Sequence, residues 1–192
     1  MGRIVFHTIL PAPRTFPFNP LSRRPMSETR SPTEGAPITP AGMAALRARY
    51  DHLLGTERPA IVEIVSWAAG NGDRSENGDY LYGRKRMREI DRELAHLARR
   101  MKALRVINPA HQTDQTRVWF GATVTIADED DHHRTLTLVG DDEQDATAHR
   151  IGWSAPLARA LRGAATGDLR RVLLPGGEKE WEVLEIRYPE AG

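Results

Sequence analysis

The sequence predicts an α+β protein in which an N-terminal antiparallel coiled-coil hairpin precedes a small antiparallel sheet with one helix packed against it. Between residues 38 and 106 apolar residues recur at alternating spacings of three and four, which is typical of helices that pair along a heptad repeat. After Asn108 and Pro109 apolar and polar residues alternate, which is typical of half-buried strands. A chain of 192 residues has room for one or two such domains.

Residues 1–37 show neither the helical spacing nor the alternation of a strand. They contain seven of the thirteen prolines, and this composition predicts a disordered extension. Its short apolar start is interrupted by His7 and Thr8 and lacks a small-residue cleavage pattern, so a cytoplasmic location is expected rather than secretion. Met26 precedes a polar run, and translation starting there is an alternative that we keep open.

The composition excludes several classes of protein. Without cysteine there is no disulfide scaffold, no Cys-ligated zinc, no iron–sulfur cluster and no thiol nucleophile. No window approaches the roughly 18 to 20 consecutive apolar residues that a bilayer requires.

The first helix of the hairpin is predicted to begin at Thr39 and Pro40, because threonine is a good N-cap and proline fits the first helical turn. Gly55 and Pro59 are expected to kink it. Its predicted inward stripe is weak in the middle and consists of Met43, Leu46, Tyr50, Leu53, Glu57, Ala60, Ile64 and Trp67.

The second helix has an unbroken stripe. A helix of about 26 residues rises about 39 Å, so two such helices predict a long hairpin over residues 38–106. The alternative is a compact bundle, but the sequence offers no third amphipathic helix of similar length to complete it. The stripe consists of Met87, Ile90, Leu94, Leu97, Met101 and Leu104.

A linker over 107–117 is predicted to lead into a second domain over 118–188, followed by a tail over 189–192. Ser154 and Pro156 are expected to open its one short helix, which ends near Gly163. Its predicted strands are Val118 to Ile126, Arg134 to Val139, Leu169 to Leu174 and Trp181 to Ile186.

Charge is segregated along the chain. Residues 80–105 carry nine basic side chains against three acidic ones, a net of +6, and residues 127–145 carry eight acids against Arg134, a net of −7. The basic excess favours a polyanionic partner, nucleic acid above all, over a merely solvated helix face. The acids are interpreted as solubility features of hairpin turns, with a metal site at His132 and His133 as the alternative.

The connection between the two helices carries the candidate chemistry. Gly70 and Gly72 provide backbone freedom for a turn. Asp73 and Glu76 are three residues apart, so one helical turn would place both carboxylates on one face; alternatively, Glu76 and its neighbours are ordinary helix caps. Two exposed carboxylates suit Mg²⁺ supplied by another molecule, where a bound water attacks a phosphodiester.

This connection resembles that of the Gre transcript-cleavage factors of bacterial RNA polymerase, and of their GreB branch in particular. The resemblance spans about residues 38–188. It is carried by the motifs Gly72-Asp73-Arg74-Ser75-Glu76-Asn77, Asp79-Tyr80, Arg84-Lys85-Arg86-Met87-Arg88, Glu57-Arg58-Pro59, Ser154-Ala155-Pro156-Leu157, Gly167-Asp168 and Pro175-Gly176-Gly177.

The resemblance implies a role for each motif. The hairpin would enter the secondary channel of the polymerase, where Asp73 and Glu76, supported by Ser75 and Asn77, help to hold a Mg²⁺ ion that cleaves backtracked RNA. The protein itself would be a monomer that is not an enzyme and has no cofactor, membrane or small-molecule ligand of its own. Extruded RNA would lie on Arg84, Lys85, Arg86 and Arg88. An FKBP-like C-terminal domain would contact the polymerase through Ser154, Pro156 and Leu157.

Three departures from the family pattern accompany the resemblance. Ser154 stands where GreB-like proteins tend to carry aspartate, Gly78 replaces a usual alanine, and residues 1–37 have no counterpart. Rival hypotheses are a channel-binding regulator that does not stimulate cleavage, a prolyl isomerase and a free-standing nuclease. The presence of both Asp73 and Glu76 favours the cleavage factor.

Overall fold

The structure is a computed structural model that describes residues 35–70, 77–174 and 177–190. Its fold is mixed α+β, as predicted: a long helical region is followed by a curled, mainly antiparallel sheet. The extension predicted over residues 1–37 lies almost wholly outside the described residues. Its last three residues are the exception, and two of them belong to a short strand.

That strand, β1 (Ala36–Ile38), pairs in parallel with β2 (Leu104–Val106) at the base of the helical region. Ile38 is fully buried, and the amide of Ile107 donates to its carbonyl at 2.9 Å. Strands of three residues are too short to show an alternating pattern, so the sequence does not predict them.

The outgoing arm of the hairpin is α1 (Pro40–His52), a π-helical turn (Leu53–Glu57) and α2 (Arg58–Ala69). Thr39 caps α1, as predicted, by accepting from the amide of Gly42 at 3.0 Å. At Gly55 the chain forms one wide turn, in which the amide of Arg58 reaches back to the carbonyl of Leu53.

The wide turn overturns the predicted stripe of α2. A π-helical turn contains one residue more than an α-helical turn, so every inward position beyond it moves one residue along the chain. Ile61 packs against the hairpin core and Ala68 is fully buried. Ile64 and Trp67, which were predicted to point inward, are 44% and 66% exposed.

The returning arm is α3 (Gly78–Lys102), whose stripe is confirmed at three buried residues. It packs against the first arm around one small cluster. Gly83 allows the two arms to approach closely, because a Cβ atom there would run into the Cγ2 methyl group of Val65. The cluster consists of Leu53, Ile90, Leu94 and Leu97, with Leu46, Tyr50 and Ile61 packed around it.

Ion pairs fix the register of the two arms. Glu57 accepts from Arg49 and from Arg86, both at 2.8 Å. Arg49 also donates to Glu93 at 2.8 Å, and Arg58 donates to Asp91 at 2.9 Å. Arg49 of the first arm contacts Glu93 near the end of α3, whereas Val65, farther along the first arm, lies against Gly83 near the start of α3, so the two arms run antiparallel.

The second domain contains a five-stranded sheet in the order β5-β4-β3-β7-β6. Its strands are β3 (Thr123–Ala127), β4 (His133–Val139), β5 (Arg150–Gly152), β6 (Leu169–Leu174) and β7 (Gly177–Arg187). β4 and β5 are parallel, so the prediction of a purely antiparallel sheet is wrong at this edge. The one helix, α4 (Pro156–Leu161), buries Ala158 and Leu161 against the sheet together with Trp181.

Acids after β4 join this sheet to the base of the hairpin. Glu143 accepts from the amide and the hydroxyl of Thr39, and Arg100 donates to Asp142 at 2.9 Å. Asp141 accepts from the amide of Ser154 at 2.8 Å. The interpretation of these three acids as solubility features is therefore wrong, because each makes a specific structural contact.

Replacing Glu57 with glutamine is expected to lower the thermal stability at neutral pH. Bonds from Arg86 and then Arg49 hold the pKa of this carboxyl below its ordinary value of 4.5. A carboxylate whose pKa is lowered by folding stabilises the protein above the unfolded pKa, and this contribution is lost as pH falls through the folded pKa. The difference in melting temperature between wild type and Glu57→Gln should therefore shrink below pH 4.5.

Thermal melts followed by circular dichroism from neutral pH to about pH 3 measure this difference. Asp51→Asn, at an exposed acid of α1, is the matched control and should change little. A Glu57→Gln effect that is the same at every pH would contradict an electrostatic role for Glu57.

Candidate functional site

The far end of the hairpin is closed by Asn77. Its side-chain oxygen accepts from the amide of Tyr80 at 3.2 Å and so caps α3, while its amide nitrogen donates to the carbonyl of Ala68 at 2.9 Å. One side chain thus joins the end of α2 to the first turn of α3. The alternative prediction, that this residue is a helix cap, is therefore confirmed for Asn77.

Asp73, Ser75 and Glu76, the predicted catalytic and metal-binding residues, lie outside the described residues. The structure therefore describes the two helix ends that hold their segment but not the carboxylates themselves. Gly78 occupies the first position of α3, where the entropic cost of glycine is smaller than in a helix interior. Asp79 follows in the first turn, where a negative charge favours the helix dipole.

Substituting Asn77 by alanine is expected to speed amide hydrogen exchange in the first turn of α3. Losing an N-cap side chain costs about 1 kcal/mol, which corresponds to about fivefold faster exchange through local opening. Exchange measured by NMR or mass spectrometry on residues 78–82 tests this, with Asn77→Asp as a variant that keeps the capping acceptor but loses the donor to Ala68. Unchanged exchange in both variants would contradict the structural role of Asn77.

The predicted RNA-binding residues fall into two groups. Arg84, Lys85 and Arg88 are exposed and form no ion pair within the described part of the chain. Arg86, by contrast, is half-buried and donates to Glu57 at 2.8 Å and to Glu89 at 3.3 Å. Three of the four cations, which we call the basic stripe, are therefore available to a polyanion, whereas Arg86 is engaged in holding the hairpin together.

The predicted polymerase-binding residues lie at the start of α4. Ser154 and Pro156 are exposed, and Leu157 is half-buried against the sheet core. Asp141 fixes the loop through the amide of Ser154. The structure thus presents a rigid polar and apolar corner at this point.

Arg162 supports the same corner and was missed by the sequence analysis. Its guanidinium lies 3.8 Å from the ring centre of Trp153 and donates to the Trp153 carbonyl. Burial lowers the pKa of this guanidinium. The ring of Trp153 in turn meets Phe120 edge to face at 5.6 Å. No local sequence pattern joins residues 120, 153 and 162, because the fold alone brings them together.

The structure keeps the predicted sites apart along the hairpin. Arg100 contacts Asp142 at the base of the hairpin, and Arg84 lies sixteen residues earlier on the same helix, about 24 Å away along its axis. The basic stripe therefore lies near the far end of the hairpin, whereas the corner at the start of α4 is part of the sheet domain.

Large apolar side chains near the hairpin end were also missed. Trp67 and Tyr82 are 66% and 67% exposed, and Ile64 and Leu81 are exposed beside them. The three-and-four spacing predicted Ile64 and Trp67 on the inner stripe, because the extra residue of the π-helical turn leaves no sequence signal.

The acidic turn between β3 and β4 is held together by its own hydrogen bonds. Asp128 and Asp130 lie beside His132 with their ligand atoms within 4.8 Å of one another. Asp128, however, already accepts from the amides of Asp130 and His132 at 3.1 and 2.9 Å. These contacts explain the cluster as a turn, and the alternative of a metal site at His132 and His133 gains no support.

Comparison with known proteins decides the family. A family model described as transcription elongation factor, GreA/GreB, C-terminal matches residues 112–188, and a second, described as transcription elongation factor, N-terminal, matches residues 36–106. The chain belongs to the GreA/GreB family of transcription elongation factors. The resemblance seen in the sequence is confirmed.

Two relatives named GreB agree with this assignment. Transcription elongation factor GreB of Neisseria meningitidis serogroup B is 48% identical over 151 residues, which cover 79% of this chain and 93% of the relative. GreB of Pseudomonas aeruginosa is 45% identical over 168 residues, which cover 86% and 99%. A solved GreA/GreB structure from Nitrosomonas europaea is 22% identical, covers 80% of this chain and 99% of its own, and has a TM-score of 0.36.

Membership of this family indicates the general mode of action. The protein is a transcription elongation factor that acts through RNA polymerase, which agrees with the prediction that it is not an enzyme in its own right. None of the helices in the described part of this Gre factor has the length and apolar content that a membrane crossing requires.

Proposed function

We propose that this Gre factor is a GreB-like cleavage factor that enters the secondary channel of RNA polymerase and stimulates cleavage of backtracked nascent RNA, so that arrested complexes resume elongation. It acts in the cytoplasm as a monomer, with an N-terminal coiled coil and an FKBP-like C-terminal domain. Relatives named GreB that are 45 to 48% identical over most of the chain support this proposal.

The observation that carries the proposal is the closure of the hairpin by Asn77. The segment 71–76 contains Asp73 and Glu76, and it joins two helix ends that Asn77 ties together at 2.9 and 3.2 Å. Holding two helix ends together lowers the entropy cost of binding for any segment that connects them. In this proposal the hairpin is an arm that delivers the two carboxylates to a partner.

Carboxylate oxygens are ligands that Mg²⁺ prefers, and this ion commonly takes only one or two of them from a protein. A Mg²⁺ ion in the polymerase active centre would supply the activated water for phosphodiester hydrolysis. In this proposal Asp73 and Glu76 orient that ion and its water, Ser75 and Asn77 hold the two acids in place, and the Gre factor binds no cofactor of its own.

The basic stripe and the corner at the start of α4 are assigned to contacts with RNA and with polymerase, respectively. The basic stripe follows the extruded RNA, because its cations are exposed and form no ion pair with any acid that the structure describes. The corner at Ser154, Pro156 and Leu157 contacts the rim of the channel, and Asp141 and Arg162 support that corner through their contacts with Ser154 and Trp153.

Asp73→Asn or Glu76→Gln is expected to abolish stimulated cleavage and to leave affinity for polymerase nearly unchanged, because only a metal ligand is lost. RNA shortening in a backtracked elongation complex with Mg²⁺ measures the first effect, and binding to core polymerase measures the second. Asp79→Asn, at an exposed acid in the first turn of α3, is the matched control and should cleave like wild type. Full binding without cleavage by the wild-type protein would favour the rival function of a non-cleaving channel regulator.

Alanine at Arg84, Lys85 and Arg88 should weaken the response to long backtracked RNA more than to short, and should flatten the dependence on salt. Each lost phosphate contact reduces the slope of log K against log salt by about 0.7 for single strands. Arg86→Ala is the contrasting variant: it should lower the melting temperature of the hairpin while leaving that slope almost unchanged. If Arg86→Ala alone reproduced the loss of RNA dependence, the division of the four cations would be wrong.

A further inference from the structure

Two arginines of α4 and its C-cap carry charges that have no acidic partner within the residues that the structure describes. Arg159 is exposed, Arg162 is half-buried, and neither forms an ion pair with a described residue. By contrast, Arg150, Arg170 and Arg171 of the same domain are each paired with an acid at 2.9 to 3.3 Å. An arginine that is partly withdrawn from water is usually paired with a carboxylate, so the unpaired charge of Arg162 is the first indication of a ligand.

Aromatic packing holds the guanidinium of Arg162 in place. It lies 3.8 Å from the ring centre of Trp153, and its Nη2 donates to the carbonyl of the same residue. Nε is buried without an acceptor, and Nη1 donates to no residue that the structure describes. A planar guanidinium that is stacked in this way loses little further freedom when an anion binds it.

Neighbouring negative groups do not neutralise the two arginines. Burial, and then the nearby charge of Arg159, lower the pKa of Arg162, and the opposite effect of Asp141 offsets only part of this shift. Asp141 itself accepts from the amide of Ser154 at 2.8 Å. The carbonyl end of a helix adds about half an elementary negative charge, against two full positive charges here. The corner at the start of α4 therefore keeps an excess of positive charge.

The surroundings suit a carboxylate of a protein better than a strand of RNA. A single strand is bound by a row of cations together with rings that are free to stack on its bases. Here the ring of Trp153 already has Arg162 over one face and meets Phe120 edge to face at 5.6 Å. Pro156 lies three residues before Arg159 on α4, so an exposed apolar side chain shares the side of the helix that carries this cation. Apolar surface beside an arginine is typical of protein interfaces.

We propose that Arg159 and Arg162 form a carboxylate-binding site that takes an aspartate or glutamate side chain of RNA polymerase. This inference rests on the proposed function, because it assumes that the corner at Ser154, Pro156 and Leu157 contacts the polymerase. The carboxylate supplies the partner that Arg162 lacks, and the charge of Arg159 strengthens its binding. Both arginines determine specificity and position the factor; neither is a catalytic residue.

Binding of the full chain to core polymerase without nucleic acid tests the site. Arg162→Gln should bind about tenfold more weakly, because a charge-assisted bond in a partly buried site is lost. Arg159→Gln should bind about threefold more weakly, because its charge is exposed. The affinity of both variants should fall less steeply with salt than that of wild type. The protein concentration needed for half-maximal RNA cleavage should rise by the same factors.

A series at Arg159 separates charge from packing. This side chain is exposed, so its replacement should leave the melting temperature unchanged, whereas Arg162→Gln also loses the stacking on Trp153. Arg159→Lys keeps the charge and should retain most of the affinity. Arg159→Glu reverses the charge and should bind more weakly than Arg159→Gln. The double variant Arg159→Gln with Arg162→Gln should lose less than the product of the two single losses, since both arginines act on one carboxylate.

Lys179→Gln is the matched control. Lys179 is an exposed cation of β7 in the same domain, and it forms no ion pair with a described residue. Its replacement removes the same charge from the domain, so an effect of net charge alone would appear in this variant as well. Its affinity for core polymerase should stay within about twofold of wild type, as is usual for surface substitutions.

Three results would overturn the inference. Wild-type affinity of Arg159→Gln and Arg159→Glu, or of a folded Arg162→Gln, for core polymerase would show that no carboxylate binds there. Equal losses in Arg159→Lys and Arg159→Glu would assign the effect to packing rather than to charge. Weakened binding only in complexes with extruded RNA would assign the two arginines to a phosphate.

Failure of the proposed function looks different. In that case the wild-type protein itself would not bind core polymerase or would not shorten backtracked RNA. If wild type does both and the variants at Arg159 and Arg162 bind equally well, only the carboxylate-binding site is rejected.

Discussion

The helical hairpin depends on the three-way ion pair of Glu57 with Arg49 and Arg86. Its fully apolar core is small, with four buried residues in one cluster. Such a core gives little resistance to sliding of one helix along the other. A carboxylate that accepts from one arginine on each arm, both at 2.8 Å, specifies one register. Polar contacts of this kind are better at selecting one arrangement than at adding stability.

Much of the fold was predictable because it follows from local patterns. Thr39 and Pro40 set the start of α1, and the three-and-four spacing of Ile90, Leu94 and Leu97 set the inward face of α3. The strands β4 and β6 follow alternating segments bounded by turn residues. In each case the signal lies within a few residues of the element that it specifies.

The features that were not predictable depend on distant contacts or on backbone hydrogen bonding without a side-chain pattern. The parallel strand β5 is three residues long, and Glu143 contacts Thr39 across 104 positions of the chain. Among the site residues, Arg84, Lys85 and Arg88 are as exposed as their charge pattern suggested. Arg86 has the same charge, but its position beside Glu57 gives it a structural contact that composition does not reveal.

The single π-helical turn at Leu53–Glu57 has a consequence for how this protein tolerates insertions and deletions. Removing one residue there would restore regular α-helical bonding and rotate α2 by about 100° relative to α1. Ile64 and Trp67 would turn into the seam, and Ile61 and Ala68 would leave it. The number of residues in the π-helical turn thus determines which side chains face outward at the far end of α2, ten residues away. The side chains that form this surface do not determine it themselves.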